Sequence, residues 1–548
     1  MQLSDMRQFL SMGDGASLSA SLSLLPVPGL PPSATLGYMS DSTAWHRHTT
    51  VACLFSGAIA TLAGFAAGEV FSLVNGALSP LTTMGDSVID LSGPSLTRWA
   101  IDTFGTANKT ILQSSIIATV LVTGAILGVL WKRHRRIALT ILIGLTVLVG
   151  IAAYSRPNST GMAGLPTLAA GAATLLVLWA LVRQNERSTE PDAVRTDRRR
   201  FLLTASAIAV GSTVIGWWSR HHGLTTAVEE ERAGVDLPEP AEPAPQVANP
   251  DFPSVDDLTR FHTDNASFYQ IDTAISPPRI KLDDFRIRVH GMVDHELTLT
   301  FEDLLARRLV ERDITLCCVS NEIGGNLVGN ARWLGVPLSE VLDEAGVHSG
   351  ADQLVSRSQD GWTAGSPTSL IMDGRDALIA LGMNGEPLPL QHGWPARIVV
   401  PGLYGYVSAT KWVTELELTT FDAYDAYWIK RDWALPSPIK TSSRIDTPRK
   451  KASAGDVTVA GVAWAQSRGI EKVEIQVDDG EWNRAELATV PSPDTWRLWQ
   501  WDWKKATKGK HTLTVRATDG DGNIQTSTES SVIPDGATGH HSITVDVV

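Results

Sequence analysis

Between residues 50 and 218 the chain carries five apolar stretches, at about 50–74, 110–131, 137–154, 163–182 and 201–218, each near the roughly 20 residues that a bilayer core requires. Stretches of this kind leave little choice of structure. In lipid every backbone N–H and C=O needs a partner within the protein, and a single apolar segment meets that demand only as a helix. The sequence therefore predicts a five-helix transmembrane region over 46–222, preceded by a Ser-, Leu- and Pro-rich segment, 1–45, read as a disordered cytoplasmic tail.

Positive charge sets the expected orientation. Lys132, Arg133, Arg135 and Arg136 fill the second-to-third loop, and Arg183, Arg187, Arg195, Arg198, Arg199 and Arg200 the fourth-to-fifth, which makes both cytoplasmic. The loop with Asp86, Asp90, Arg98 and Asp102, and the short one with Arg156, are poor in cations and fall outside. An odd number of spans then puts everything after Trp218 on the outer face of the cell membrane. His46, His48, His134, His221 and His222 sit at helix ends or in loops, so histidine-ligated haem is not expected within the bundle. An anchor in contact with membrane lipid is the simplest reading. Glu69 is the one carboxylate inside these stretches that could be functional or interfacial.

Residues 223–255 form a Pro-rich linker, with Pro238, Pro240, Pro243, Pro245, Pro250 and Pro253 among glutamates and alanines. Such a segment is semi-rigid and extended, reaching roughly 70 Å over two dozen residues, and would let the globular part of the chain stand off the bilayer. The net charge of −13 leaves no basic face for nucleic acid. Three cysteines and no CxxC pair exclude zinc, iron–sulfur and c-type haem ligand sets. Cys53 lies in an apolar stretch, so Cys317 and Cys318 are the thiols of the globular part.

Over 256–425, short alternating runs (Phe285, Ile287, Val289) mix with helical ones (Phe301-Glu302-Asp303-Leu304-Leu305), an α+β pattern. Thr300 is positioned to cap the helix that begins there. Thr315 to Val319 reads as a strand that breaks into Gly324-Gly325, placing one thiol at a strand end. Ladder hydrogen bonds would hold its sulfur still, a suitable mount for a metal whose other ligands come from a cofactor.

The stretch Thr315-Leu316-Cys317-Cys318-Val319-Ser320-Asn321, then Ala331-Arg332-Trp333-Leu334-Gly335, then Gly385-Glu386-Pro387-Leu388-Pro389-Leu390-Gln391-His392-Gly393-Trp394-Pro395-Ala396-Arg397, Val399-Val400-Pro401-Gly402, Tyr404-Gly405 and Lys411-Trp412 resemble, in order, the sulfite oxidase family of molybdopterin enzymes. The resemblance covers roughly 256–548. It implies a molybdopterin-binding catalytic domain over 256–425, a molybdenum–molybdopterin cofactor, and Cys318 as both metal ligand and catalytic residue. Cys317, pointing to the other side of the strand, is assigned to packing. His392, Arg397 and Lys411 match the family's positions for the cofactor's phosphate. Ser408 and Thr410 are hydroxyl donors, and Gly402 and Gly405 would allow close backbone approach. The first cofactor loop, 265–272, contributes Asn265, Tyr269 and Gln270, with Asp360 as a further contact.

Three departures bear on substrate. Gln270, the pair Glu322 and Ile323, and Leu381 stand where sulfite oxidases carry arginine, arginine and tyrosine. A doubly charged anion would meet repulsion at Glu322 rather than steering. The resemblance thus implies two-electron oxygen-atom transfer on a small molecule, with sulfite disfavoured and a neutral sulfoxide or N-oxide a better fit. A second class remains open, in which the fold has lost catalysis and serves as an anchored binding or assembly module.

Asp197-Arg198-Arg199-Arg200-Phe201-Leu202-Leu203 resembles the twin-arginine export signal, here internal, although three arginines also suit the flank of a helix. Residues 445–548 alternate as strands, with turns at Asp479-Gly480 and Asp519-Gly520, a β-sandwich resembling the family's immunoglobulin-like dimerisation domain and implying a homodimer. Trp482, Trp496, Trp499, Trp501 and Trp503 are expected in its core or edges. With no haem domain in the sequence, electrons must pass to or from a separate partner.

Overall fold

The computed structural model describes residues 42–548 apart from 93–95, 97–98, 101–102, 105–107, 157–158, 160, 188–193 and 223. The tail at 1–41 lies outside the described residues.

The amino-terminal part consists of helices α1 (Ser42–Asn75), α2 (Pro80–Leu91), α3 (Asn108–Arg133), α4 (Arg135–Tyr154), α5 (Leu165–Arg187), α6 (Val194–His222) and α7 (Leu224–Ala233). Among the described residues, four helical segments are long and apolar enough to cross a membrane: Thr50–Asn75, Lys109–Arg133, Arg135–Tyr154 and Leu165–Glu186. The sequence predicts five. The fifth stretch, expected at 201–218, falls on α6, of which the shorter apolar segment Leu203–Gly216 lies among the described residues. Helices α1 and α3 touch backbone to backbone, because a Cβ on Gly57 would fall 1.9 Å from the Gly124 carbonyl oxygen and one on Gly128 2.0 Å from that of Cys53. Lipid provides no hydrophobic drive between helices, so close approach through small residues takes its place.

The segment at 235–255 is extended, as its prolines dictate, but it is not a free spacer. Ala241 donates its N–H to Leu309 O (2.8 Å) and Glu311 donates to Glu242 O (2.8 Å). Ala244 is buried, and the Glu242 carboxylate takes Arg308 and Arg312 (2.8 Å for the latter). The prolines lower the entropy lost in laying the strap down, and the backbone pairs hold it.

The globular part contains β1 (Ile287–Gly291), β2 (Leu297–Leu299), β3 (Val310–Cys317), β4 (Val328–Pro337), β5 (Gln353–Ser358), β6 (Thr363–Pro367), β7 (Leu378–Met383), β8 (Glu386–Pro387), β9 (Arg397–Val399) and β10 (Val413–Thr419). Two sheets result. One runs β2-β1-β10-β5-β6; the other runs β3-β4-β7-β8, with β9 also paired to β7. Short helices α8 (Phe301–Leu305), α9 (Leu338–Ala345), α10 (Thr368–Ile371) and α11 (Gly405–Ser408) connect them, the α+β arrangement the sequence predicts. Thr300 and Asp303 form a capping box at the start of α8, satisfying two helix-end donors.

The carboxy-terminal strands are β11 (Ser442–Thr447), β12 (Lys451–Ala452), β13 (Gly455–Trp464), β14 (Ile470–Val477), β15 (Trp482–Arg484), β16 (Glu486–Leu487), β17 (Arg497–Ala506), β18 (Gly509–Asp519) and β19 (His541–Val547). They make two sheets, β11-β13-β17-β16 and β12-β19-β18-β14-β15, that share one core of Val459, Trp499, Val473, Leu513 and Val545 among others. Trp496 belongs elsewhere. It is buried in the core of the first globular part, its indole N–H donates to Phe261 O (2.8 Å), and its backbone N–H donates to the Thr315 hydroxyl (2.7 Å). With Gln466 donating to Thr315 O (2.9 Å), it buttresses the strand that leads to Cys318.

Candidate active site

Strand β3 ends at Cys317, two residues earlier than the alternation suggests. The Cys318 N–H still continues the ladder to Leu327 O (2.9 Å), but Asn321 N–H then closes a turn on Cys318 O (3.0 Å). The Asn321 side chain fixes the loop by accepting from Leu327 N–H (2.7 Å). Cys318 is thus the first residue past a fully paired strand, 9 % exposed. Burial pushes its thiol up, while the Ser320 amide and hydroxyl, donating toward sulfur, offset part of this. A metal binding there would displace the thiol proton. Cys317 lies in the core with its sulfur 3.5 Å from Cys318 O.

Arg397, on β9, is held by pairing with Ala380 of β7. Its guanidinium lies 5.0 Å over the Trp333 ring of β4 and donates to His392 O (3.1 Å) and Ala409 O (3.5 Å). The buried Nε has no partner, and among the described residues no carboxylate pairs with this cation. Burial pulls its pKa down to about 10. An arginine sealed in this way keeps one donor for an oxygen that the protein itself does not supply.

His392 is 1 % exposed. Its Nε2–H donates to Asn265 O (2.7 Å), and its ring meets Phe268 edge to face at 5.6 Å. Burial pushes its pKa down to about 4, with the neighbouring cations Arg397 and Lys411 acting in the same direction. Lys411 donates to Asp272 Oδ2 (2.6 Å) and Gln391 O (3.1 Å), and packs 4.6 Å over the Trp412 ring.

The loop over 265–272 closes the other wall, anchored by Phe268 against His392 and Trp333. Tyr269 is stacked on Phe268. Its hydroxyl is pushed well above its ordinary range by burial and by the Cys318 and Cys317 sulfurs, while Arg397 pulls the other way. Tyr269 therefore stands within electrostatic reach of both the thiol and the buried arginine.

The remaining candidates divide. Asn265 spends its amide on the chain, donating to Met383 O (3.2 Å) and Glu386 Oε1 (2.5 Å) and accepting from Asn384 (2.8 Å). Gln270 is exposed. Asp360, in the turn between β5 and β6, caps Trp362 N–H (3.2 Å), and burial, with Asp272 adding to it, raises its pKa. The Ser408 hydroxyl donates to Leu403 O and Tyr404 O (3.2 and 3.0 Å), and Thr410 shares its hydrogen bond with Ser356 (2.6 Å). Both hydroxyls serve the fold. Gly402 does not turn toward the cleft: at φ +81 its open face receives Ser467, whose Oγ would lie 2.3 Å from a Cβ. Gly405 packs closely, with Ala409 Cβ 3.5 Å and Cys317 O 3.9 Å from where its own Cβ would be.

Two residues that local pattern does not single out complete the polar wall. Asp272 receives Lys411 on one oxygen and Lys109, from the start of α3, on the other (2.5 Å). Nothing within the loop's own sequence distinguishes this aspartate, since its partners lie 139 and 163 positions away. The same seam continues along the helices. Arg232 of α7 donates to Pro387 O (2.9 Å), Glu231 accepts from Leu282 N–H (3.2 Å), and the Glu69 charge offsets part of the cost of burying Arg279.

Residues 274–428 match the family described as "Oxidoreductase molybdopterin binding domain". The chain is 28 % identical over 293 residues to "Sulfite oxidase, mitochondrial" of Drosophila melanogaster, covering 44 % of this chain and 50 % of that protein. It is 32 % identical over 162 residues to "Uncharacterized oxidoreductase YuiH" of Bacillus subtilis (strain 168), covering 30 % of this chain and 78 % of that one. It spans about half the length of the curated animal sulfite oxidases it matches. Among solved structures, the sulfane dehydrogenase SoxCD from Paracoccus pantotrophus aligns at 23 % identity and a TM-score of 0.47 over 53 % of this chain and 84 % of that one.

Proposed function

Because this chain belongs to the sulfite oxidase-like family of molybdopterin-dependent oxidoreductases, we propose that it is a membrane-tethered molybdenum enzyme whose catalytic part faces the outside and moves an oxygen atom to or from a small molecule other than sulfite. The observation that carries this reading is a strand-end thiol and a buried arginine with an unused donor, both within electrostatic reach of Tyr269.

The molybdenum–molybdopterin group, when bound, supplies two-electron oxygen-atom transfer. The chain supplies the setting. Cys318 offers a soft sulfur at a point fixed by the β3 ladder and by Trp496 behind it. Arg397, Lys411 and His392 line the end of the cleft suited to a phosphate, and charge-assisted bonds from the two cations would dominate its retention. Phe268 packs on Tyr269, Trp333 and His392, and Arg397 lies over Trp333, so the cations sit against apolar rings, where electrostatic contacts are stronger than in water.

Substrate preference is set by charge at the mouth. The loop beyond Cys318 presents Glu322, which is exposed, where sulfite oxidases present a cation, so an approaching dianion meets like charge. A neutral sulfoxide or N-oxide carries no such penalty. The test uses the full-length protein with a reduced artificial dye and a panel of sulfoxides, N-oxides and sulfite. Dye oxidation is expected with a neutral oxo compound, whereas fast sulfite-dependent reduction of the enzyme would refute the substrate assignment. No turnover with any of them would favour the anchored binding module.

The outward placement is supported by the helix ends. The end of α1 at Glu69, the start of α3 at Lys109 and the end of α6 through α7 all meet the catalytic part, while Lys132, Arg133, Arg135 and Arg136 lie at the opposite ends of α3 and α4. By the positive-inside rule the catalytic side is outer. This reading counts α6 as a fifth crossing. It makes the arginines at 198–200, at the head of α6, an internal twin-arginine signal for export of a domain folded around its cofactor. The two-sheet carboxy-terminal part fits an immunoglobulin-like dimerisation domain. A separate protein would exchange electrons with the cleft.

A further inference from the structure

Lys109 lies in α3, outside the residues that match the family, yet its ammonium is 2.5 Å from Asp272 Oδ1, whose other oxygen is 2.6 Å from Lys411 Nζ. Lys109 also donates to Ala274 O (2.7 Å). A membrane helix thus reaches the wall of the cleft through one bridging carboxylate. The bridge matters because of the charge it leaves. Asp272 is mostly shielded from solvent, and burial disfavours its ionised form, but Lys411 and then Lys109 outweigh burial and hold its carboxyl below the usual range.

We propose that Lys109 is a positioning residue for the cofactor's phosphate, neutralising Asp272 so that the charge of Lys411 remains free for the anion. This rests on the reading of the cleft as a molybdopterin site. The count of charges gives the reason. Arg397, Lys411 and Lys109 are cations, Asp272 is the one anion paired among them, and burial pushes nearby Asp360 toward its neutral form; the surplus of two matches the roughly two negative charges of a phosphate monoester near neutral pH. Without Lys109 the surplus falls to one, and Asp272 faces the phosphate with Lys411 divided between them. The membrane anchor is then part of the cofactor site and not only a tether.

A purely structural role for Lys109, pinning the domain to the helices, makes a different forecast, because Arg232 and Glu231 hold the same seam independently. The experiment measures pterin, by fluorescence after oxidative release, in full-length protein purified in detergent from a host that makes the cofactor, before and after extended gel filtration. Lys109→Met should retain about tenfold less than wild type, and Lys109→Arg should retain it normally. Asp272→Asn breaks the same bridge but removes the offending charge, so it should hold pterin at least as well as wild type. The double variant Lys109→Met/Asp272→Asn should recover what Lys109→Met loses. Retention by Lys109→Met equal to wild type would overturn the proposal, and so would a double variant as empty as Lys109→Met. Wild-type protein without pterin would refute the reading of the cleft itself, and this inference with it.

Discussion

Replacing Arg397 by methionine should empty the cleft of its cofactor and leave the apoprotein no less stable than the parent. The two effects have opposite signs for one physical reason. Arg397 is buried, carries its charge against the pull of burial, and has a backbone-held guanidinium whose Nε finds no acceptor. In the apoprotein that charge is a cost, since an ion removed from water without a counter-charge is penalised by several kcal/mol even after relaxation. Methionine fills similar space over Trp333 without it. With a phosphate present, the same guanidinium makes charge-assisted bonds worth about 1.5–3 kcal/mol, so its loss should weaken retention roughly 10- to 100-fold. Pterin fluorescence and the thermal midpoint of the apoprotein separate the two effects. A variant that keeps its pterin, or whose apoprotein melts far below the parent, would contradict this account of the site.

Replacing Cys318 by serine should act at the other end of the cleft. Serine is nearly isosteric, so the β3 ladder and the Asn321 turn survive, at a folding cost of about 1 kcal/mol for altered buried hydrogen bonding. The sulfur does not survive, and a hydroxyl is a harder, less acidic ligand than a thiol. Turnover in any oxygen-atom transfer assay should fall to background and molybdenum content should drop, while pterin stays near the parent level because Arg397, Lys411 and His392 are untouched. The contrast with Arg397→Met is the informative result, with metal and turnover lost in one variant and pterin lost in the other. Full turnover in Cys318→Ser would remove the thiol from the chemistry.

Features set by neighbouring residues were legible in the sequence. The capping box of Thr300 and Asp303 and the hairpin at Asp479-Gly480 between β14 and β15 come from turn and cap chemistry over a few positions. The strand carrying the cysteine runs Val310–Cys317 and not Thr315 to Val319: pairing with β4 extends it at the front, and the Asn321 turn, not the apolar run, decides where the ladder stops. Four of the tryptophans pack, Trp499 and Trp503 in the carboxy-terminal core with Trp501 against it and Trp496 behind β3, while Trp482 lies part-exposed under Arg516.

Features that depend on distant pairing were not legible. Composition alone makes 223–255 an extended, semi-rigid spacer, whereas Leu224–Ala233 is helix α7, and Leu309 and Glu311 take hold of the rest across some 70 positions. Gly402 matches a cofactor-approach glycine by motif, but Ser467 from the carboxy-terminal part occupies its open face. Ser408 and Thr410 have hydroxyls suited to an anion, and neighbouring groups already accept their protons or share them. Asp272 and Lys109 become a site only when α3 docks. In each case the residue type is right for several uses, and the partner that selects one use is set by the tertiary fold.

The most direct test of the account is the molybdenum content of the full-length protein, made in a host that synthesises molybdopterin and measured by elemental analysis against protein concentration. The account predicts close to one molybdenum per chain, accompanied by an equal amount of pterin. A stably folded protein that contains neither would contradict it.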